Sequence, residues 1–168
     1  MGKLRKGDAA PEFSAGSVNM GEVTLGSYRG KEVNIVFSRY FGCPVCQYEF
    51  DELLEHRKKH PQINIVYINQ SLAATAKAYI EGKGVDFPVI AAEKTSEGYP
   101  LYGLYGVGSF GPVAAAEILL KARRAKAAGK VHGPYEGNEM QSPAQFHIDA
   151  DGKIASAHYG LLDTGKLA

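Results

Sequence analysis

Cysteine is the scarcest informative residue here: the 168-residue chain has two. A closed structural zinc site takes four ligands, usually two cysteine pairs or one pair plus two histidines at helical spacing. An iron–sulfur cluster takes four cysteines. Neither can be built from cysteine alone. An excess of charge is also missing. The 19 Lys and Arg against 18 Asp and Glu leave a formal net charge of +1, which makes no electrostatic case for nucleic acid or a membrane surface as partner. No stretch approaches the ~20 apolar residues of a membrane span. The opening Met1-Gly2-Lys3-Leu4-Arg5-Lys6-Gly7-Asp8 lacks the apolar run of a secretory leader, so a cytoplasmic, reducing location is the expectation. A hydrophobic content of 45% and a charged content of 22% are ordinary for a globular protein, and the length suits one domain, 1–168, with a sizeable core.

What is present is concentrated at one point. Both cysteines fall in Cys43-Pro44-Val45-Cys46. The apolar run Val33–Phe37 before them reads as a buried strand, and 44–60 after them reads as one helix. A helix start offers unpaired N–H groups and the positive end of the macrodipole. Both favour the thiolate, the reactive form of cysteine. The helix is polarised, with Glu49, Asp51 and Glu52 early and His56, Arg57, Lys58, Lys59 and His60 at its end before Pro61. Cys46, Phe50, Leu53 and Leu54 share one face.

The remaining chain alternates strand and helix. Glu22 to Leu25 reads as a short strand closed by Gly26 and Gly30, 63–68 as a second buried strand, and Ser71 as the cap of a helix to about Gly82. Pro88-Val89-Ile90 reads as a short strand. Ala144–Ile148, Asp151-Gly152 and 153–158 read as a hairpin. Strong helix formers predict an inserted helix over about 112–128, whose Lys121, Arg123, Arg124 and Lys126 complement its C-terminus. The long loop 132–138 is a candidate lid over the dithiol. After the hairpin, Gly165 leaves no room for a full C-terminal helix. This order implies an α/β fold with a mixed central sheet.

Several segments carry a resemblance. Gly7-Asp8-Ala9-Ala10-Pro11-Glu12-Phe13 resembles the G-D-x-A-P-x-F start of the peroxiredoxin-like (AhpC/TSA) branch of the thioredoxin-fold superfamily. Thr24-Leu25 through Arg29-Gly30-Lys31 to Val36-Phe37 resembles that branch's entry into the core strand, and Phe146 to Gly152 its F-x-I-D-x-x-G hairpin. The match spans about residues 7–105 and 141–160. It implies a thioredoxin-like fold, a central mixed β-sheet flanked by helices, with an N-terminal extension and the inserted helix.

The resemblance leaves two registers open. As a thioredoxin-type C-x-x-C, Cys43 is the exposed nucleophile and Cys46 the buried resolving thiol. As a peroxiredoxin P-V-C-x-x-E run, Pro44 to Glu49 makes Cys46 peroxidatic. Two departures from the peroxiredoxin pattern stand out: Arg39 replaces its proline and Pro143 replaces the arginine that opens its last strand pair. Ser142-Pro143-Ala144-Gln145-Phe146 instead resembles the cis-proline segment of thioredoxins, which predicts a cis bond facing the dithiol. Thioredoxins carry a buried acid on the strand before the dithiol, and Ile35, Val36 and Phe37 offer none. Arg39 remains as a cation able to lower a thiolate pKa.

The leading function is a thiol–disulfide oxidoreductase with catalytic residues Cys43, Cys46, Pro143 and Arg39 and no cofactor. Its expected partners are a protein or small-molecule thiol or disulfide, or a hydroperoxide, and a reductant such as thioredoxin or glutathione; a homodimer is an open option. The alternatives are a thiol peroxidase with Cys46 attacking, and a soft-metal (copper or zinc) module in which the thiolates join His132, His147 or His158.

Overall fold

The structure, a computed structural model, describes residues 2–168. In chain order its elements are β1 (Ser14–Gly16), β2 (Glu22–Thr24), β3 (Val33–Phe37), α1 (Pro44–Lys59), β4 (Ile65–Asn69), α2 (Ala73–Ile80), β5 (Val89–Ala91), α3 (Pro100–Leu104), α4 (Pro112–Ala127), β6 (Ala144–Ile148) and β7 (Ile154–His158). The central sheet runs β5-β4-β3-β6-β7. Strands β3, β4 and β5 are parallel, β6 runs antiparallel to β3, and β7 runs antiparallel to β6. This is the thioredoxin-like fold, with β1 and β2 as a separate N-terminal hairpin.

Strand β3 is buried at every position, as befits a central strand covered on both faces. Its one polar residue, Asn34, is satisfied by the carbonyls of Asn64 and Ala168. One face packs Val36 and Tyr67 against Phe50 and Leu53 of α1 and Ala76 and Ile80 of α2. The other packs Ile35, Phe37, Phe146 and Ile148 against Ala10 and Phe13 of the N-terminal segment and against Tyr102 and Tyr105. Phe37 meets Tyr102 edge-on at 4.9 Å. The N-terminal extension and these two tyrosines therefore cover this face of the sheet. After β7 there is only a 3-10 turn over Thr164–Lys166.

Helix α1 starts with Pro44 at its first position, where a missing N–H costs nothing. Two expectations are corrected. Ser71 does not cap α2: its hydroxyl accepts the Phe41 N–H at 2.8 Å, and the Glu136 carboxylate takes the Leu72 N–H instead. Strand β4 begins at Ile65, because Ile63 lies in a turn bonded back to His60. Helix α4 packs on α1 and so reaches the dithiol rather than the sheet.

Candidate active site

Cys43 is the N-cap of α1, with extended backbone (φ −77°, ψ 122°), and Cys46 lies one turn inside the helix. Both are free thiols. The expected exposure of Cys43 is not met, since Cys43 is 4% and Cys46 3% exposed. Ile118 and Ala122 of α4 and the loop after it fold over the pair. The two sulfurs still differ in access. Cys43 lines a cleft of about 670 Å³ together with Val45, Ile118, Ala122, Val131, His132 and Tyr135, and Cys46 is not among its walls.

Their protonation differs as well. The Cys43 thiol is lowered to about 6, foremost by the Cys46 thiol that points at it. The helix-start N–H groups of Cys46 and Val45, which face the sulfur without full hydrogen-bond geometry, and the Arg39 charge lower it further against the cost of burial. Cys46 is pushed well above its ordinary range by the same sulfur–sulfur contact, by complete burial and by the Cys43 charge. One sulfur is therefore a thiolate near neutral pH and its neighbour a protonated thiol.

Arg39 lies beside Cys43, with Nη1 3.7 Å from Sγ. Its Nη2 donates to Glu139 at 2.9 Å, and the Tyr40 hydroxyl donates to the other oxygen of Glu139 at 2.5 Å. The expected lid is real and is pinned from several sides. Gly133 N–H donates to Gly42 at 2.8 Å, Asn138 N–H to Gln70 at 2.8 Å and Thr75 Oγ1 to Glu136 at 2.9 Å. His132 and Tyr135 stack at 4.0 Å above Tyr40.

Glu49, which the sequence placed in the acidic start of α1 and at the end of the P-V-C-x-x-E run, is a buried acid close to Cys46. Glu49, 5% exposed, sits on α1 three residues after Cys46. Burial raises its pKa despite Lys121 of α4, whose ammonium lies 3.0 Å away. Its Oε2 also accepts the Leu162 N–H at 2.7 Å. The Glu49 charge is one cause of the raised Cys46 pKa. The i, i+3 spacing from Cys46 carried the signal. Glu139 carried none, lying 100 residues from its partner Arg39.

Pro143 is corrected. Among the described residues every peptide bond is trans, including Ser142–Pro143. The Ser142 N–H is tied to the Gly108 carbonyl, so this backbone is paired within the chain. Pro143 is buried and lines a small internal cavity with Ser38, Glu49 and Tyr67 rather than the cleft at Cys43. The three histidines do not converge. His132 lines the cleft, His147 pairs with Glu32 at 3.0 Å, and His158 bonds the Leu161 carbonyl. Among the described residues no group of three His, Cys, Asp or Glu could hold a metal ion.

Comparison with known proteins agrees with this architecture. Two Mycobacterium tuberculosis relatives that carry the peroxiredoxin name are 23% identical over 168 residues, 99% of this chain and 92% of their own length. A peroxiredoxin-like protein from Aquifex aeolicus superposes with a TM-score of 0.65 at 20% identity, covering 98% of this chain and 81% of its own. A thioredoxin-family thiol:disulfide interchange protein from Chlorobium tepidum does so at 0.57 and 22% identity, covering 97% and 92%. These structural likenesses speak for the fold. The sequence profile of the AhpC/TSA family matches residues 6–157, most of the chain, and the protein belongs to that family.

Proposed function

We propose that the protein is a thiol–disulfide oxidoreductase in which Cys43 attacks and Cys46 resolves. The observation that carries this reading is the asymmetry of the pair: Cys43 alone lines the cleft and is lowered to about 6, whereas Cys46 is enclosed and held protonated. The Cys43 thiolate attacks one sulfur of a disulfide R–S–S–R′, forming Cys43–S–S–R and releasing R′S⁻. Cys46 then gives up its proton, with Glu49 as the nearby buried base, and attacks Cys43. The Cys43–Cys46 disulfide closes and RS⁻ leaves. Two electrons pass from the dithiol to the substrate. An external thiol, such as thioredoxin or glutathione in a reducing cytoplasm, would restore the dithiol. Arg39 stabilises the attacking thiolate and then the leaving one.

A peroxidase working through Cys46 is disfavoured by the burial and raised pKa of that thiol. The test is the pair of serine variants. Cys46→Ser should accumulate mixed disulfides on a gel run without reductant, because the covalent intermediate loses its internal exit. Cys43→Ser should abolish disulfide exchange. Strong dimedone labelling of Cys46 in Cys43→Ser after peroxide, with no exchange defect, would transfer the role to a Cys46 peroxidase.

A further inference from the structure

The backbone at the start of β6, whose Pro143 lines the internal cavity with Ser38 and Glu49, is already paired. Ser109 and Gln141 form an antiparallel bridge. Ser142 N–H donates to Gly108 at 2.8 Å, and Phe110 N–H donates to Met140 at 3.0 Å. An incoming polypeptide that added as a strand would find these groups occupied, and β-augmentation needs them free. Cys43 is reached from the cleft under the lid, whose wall it forms. Its volume of about 670 Å³ lies in the ordinary range of small-molecule sites.

The cleft walls are specific about chemistry. Val45, Ile118, Ala122, Val131 and Tyr135 make them mostly apolar, with an aromatic face. Three cations line it. Arg39 is paired with Glu139, and Lys130 with Asp51. Lys126, exposed on α4 at the rim, has no carboxylate partner among the described residues. One unpaired cation beside an apolar cleft fits an anionic group carried on an apolar body.

Resting on the oxidoreductase reading above, we propose that the substrate is a low-molecular-weight disulfide with an apolar or aromatic body and an anionic group, bound between α4 and the 130–141 loop, and not a polypeptide strand. The body packs on Ile118, Ala122 and Tyr135, the anion faces Lys126, and one substrate sulfur meets Cys43 Sγ. The dithiol itself supplies the two electrons, so a single turnover needs no other reductant.

Stopped-flow oxidation of the reduced protein tests this with three probes. They are 5,5′-dithiobis(2-nitrobenzoate) (aromatic and anionic), 4,4′-dithiodipyridine (aromatic and neutral) and insulin (a polypeptide disulfide). With each rate divided by that of dithiothreitol with the same probe, which removes the difference in leaving-group pKa, insulin should react about 100-fold more slowly than the anionic probe, since its disulfide cannot enter. Lys126→Glu should lower the anionic-to-neutral rate ratio about three- to tenfold. Ala122→Phe should slow both small probes by about tenfold by filling the cleft. Insulin reduced as fast as the small probes on that normalised scale, or an unchanged ratio in Lys126→Glu together with unchanged rates in Ala122→Phe, overturns the cleft proposal while leaving the dithiol mechanism intact. Failure of all three probes to oxidise Cys43 would instead remove the oxidoreductase reading itself.

Discussion

At the scale of single residues, reactivity rests on the split between two chemically identical groups. Cys43 is lowered to about 6 by its Cys46 neighbour, the helix start and Arg39, while Cys46 is pushed up. Alkylation of Cys43 by iodoacetamide should therefore rise with a midpoint near pH 6, and Arg39→Ala should move that midpoint upward, because a favourable charge is lost. An unmoved midpoint would assign the depression to Cys46 and the helix start alone. The same shift has a consequence for stability. A group whose pKa is depressed on folding contributes stability above its unfolded value, here the ordinary 9.0, and loses it as pH falls through about 6. Urea midpoints of the reduced protein should fall between about pH 9 and pH 6, and Cys43→Ser should flatten that slope. Lys121 shows the limit of local pattern at this scale. Its place in the cation run of α4 marked it as a complement to the helix C-terminus, yet it is 9% exposed and bound to Glu49 and Glu52.

At the scale of elements, the 130–141 loop decides access to the nucleophile, and its closest approach is at Gly42. A methyl group there would collide with the Pro134 carbonyl, and Gly133 N–H is already bonded to Gly42. Gly42→Ala should lift the loop. The expected signs are a stability loss of about 1–3 kcal/mol from overpacking and faster alkylation of Cys43 at pH values where the thiol is already ionised. A destabilised protein with an unchanged alkylation rate would mean that the loop does not gate the sulfur. The helices and core strands that carry the dithiol were legible because their signals are local: the apolar run of β3, Pro44 at the start of α1 and the basic last turn at its end. The lid contacts were not legible. Glu139 with Arg39, Glu136 with Thr75 and Gln47 with Val131 join residues 61 to 100 positions apart, and no periodicity reports such pairs. The pairing of 108–110 with 140–142 next to Pro143 is likewise a tertiary fact that no local pattern reports.

At the scale of the whole molecule, one buried ion pair joins the layers that make the site. Lys121 reaches from α4 to Glu49 at 3.0 Å and to Glu52 at 2.8 Å on α1, and Glu49 also holds the Leu162 N–H after β7. Burial pushes the Glu49 pKa up, and the Lys121 charge opposes it. Removing the cation while keeping its stem, as in Lys121→Met, leaves a buried carboxylate whose ionised form is uncompensated. Breaking one side of such a pair costs about 3–5 kcal/mol when the remaining group stays charged. The sign with pH follows. A carboxyl whose pKa is raised on folding favours the folded state while protonated and disfavours it once ionised. The deficit of Lys121→Met should therefore be small at about pH 5 and grow toward about pH 8. Glu49→Gln in the same background should remove that growth, and a double-mutant cycle by urea denaturation would show the coupling. The same variant should widen the cleft, since α4 carries Ile118 and Ala122 on its inner side. An equal deficit at both pH values would reduce the pair to packing, whereas a pH-dependent deficit with faster labelling of Cys43 would make it the joint that holds α4 over the nucleophile.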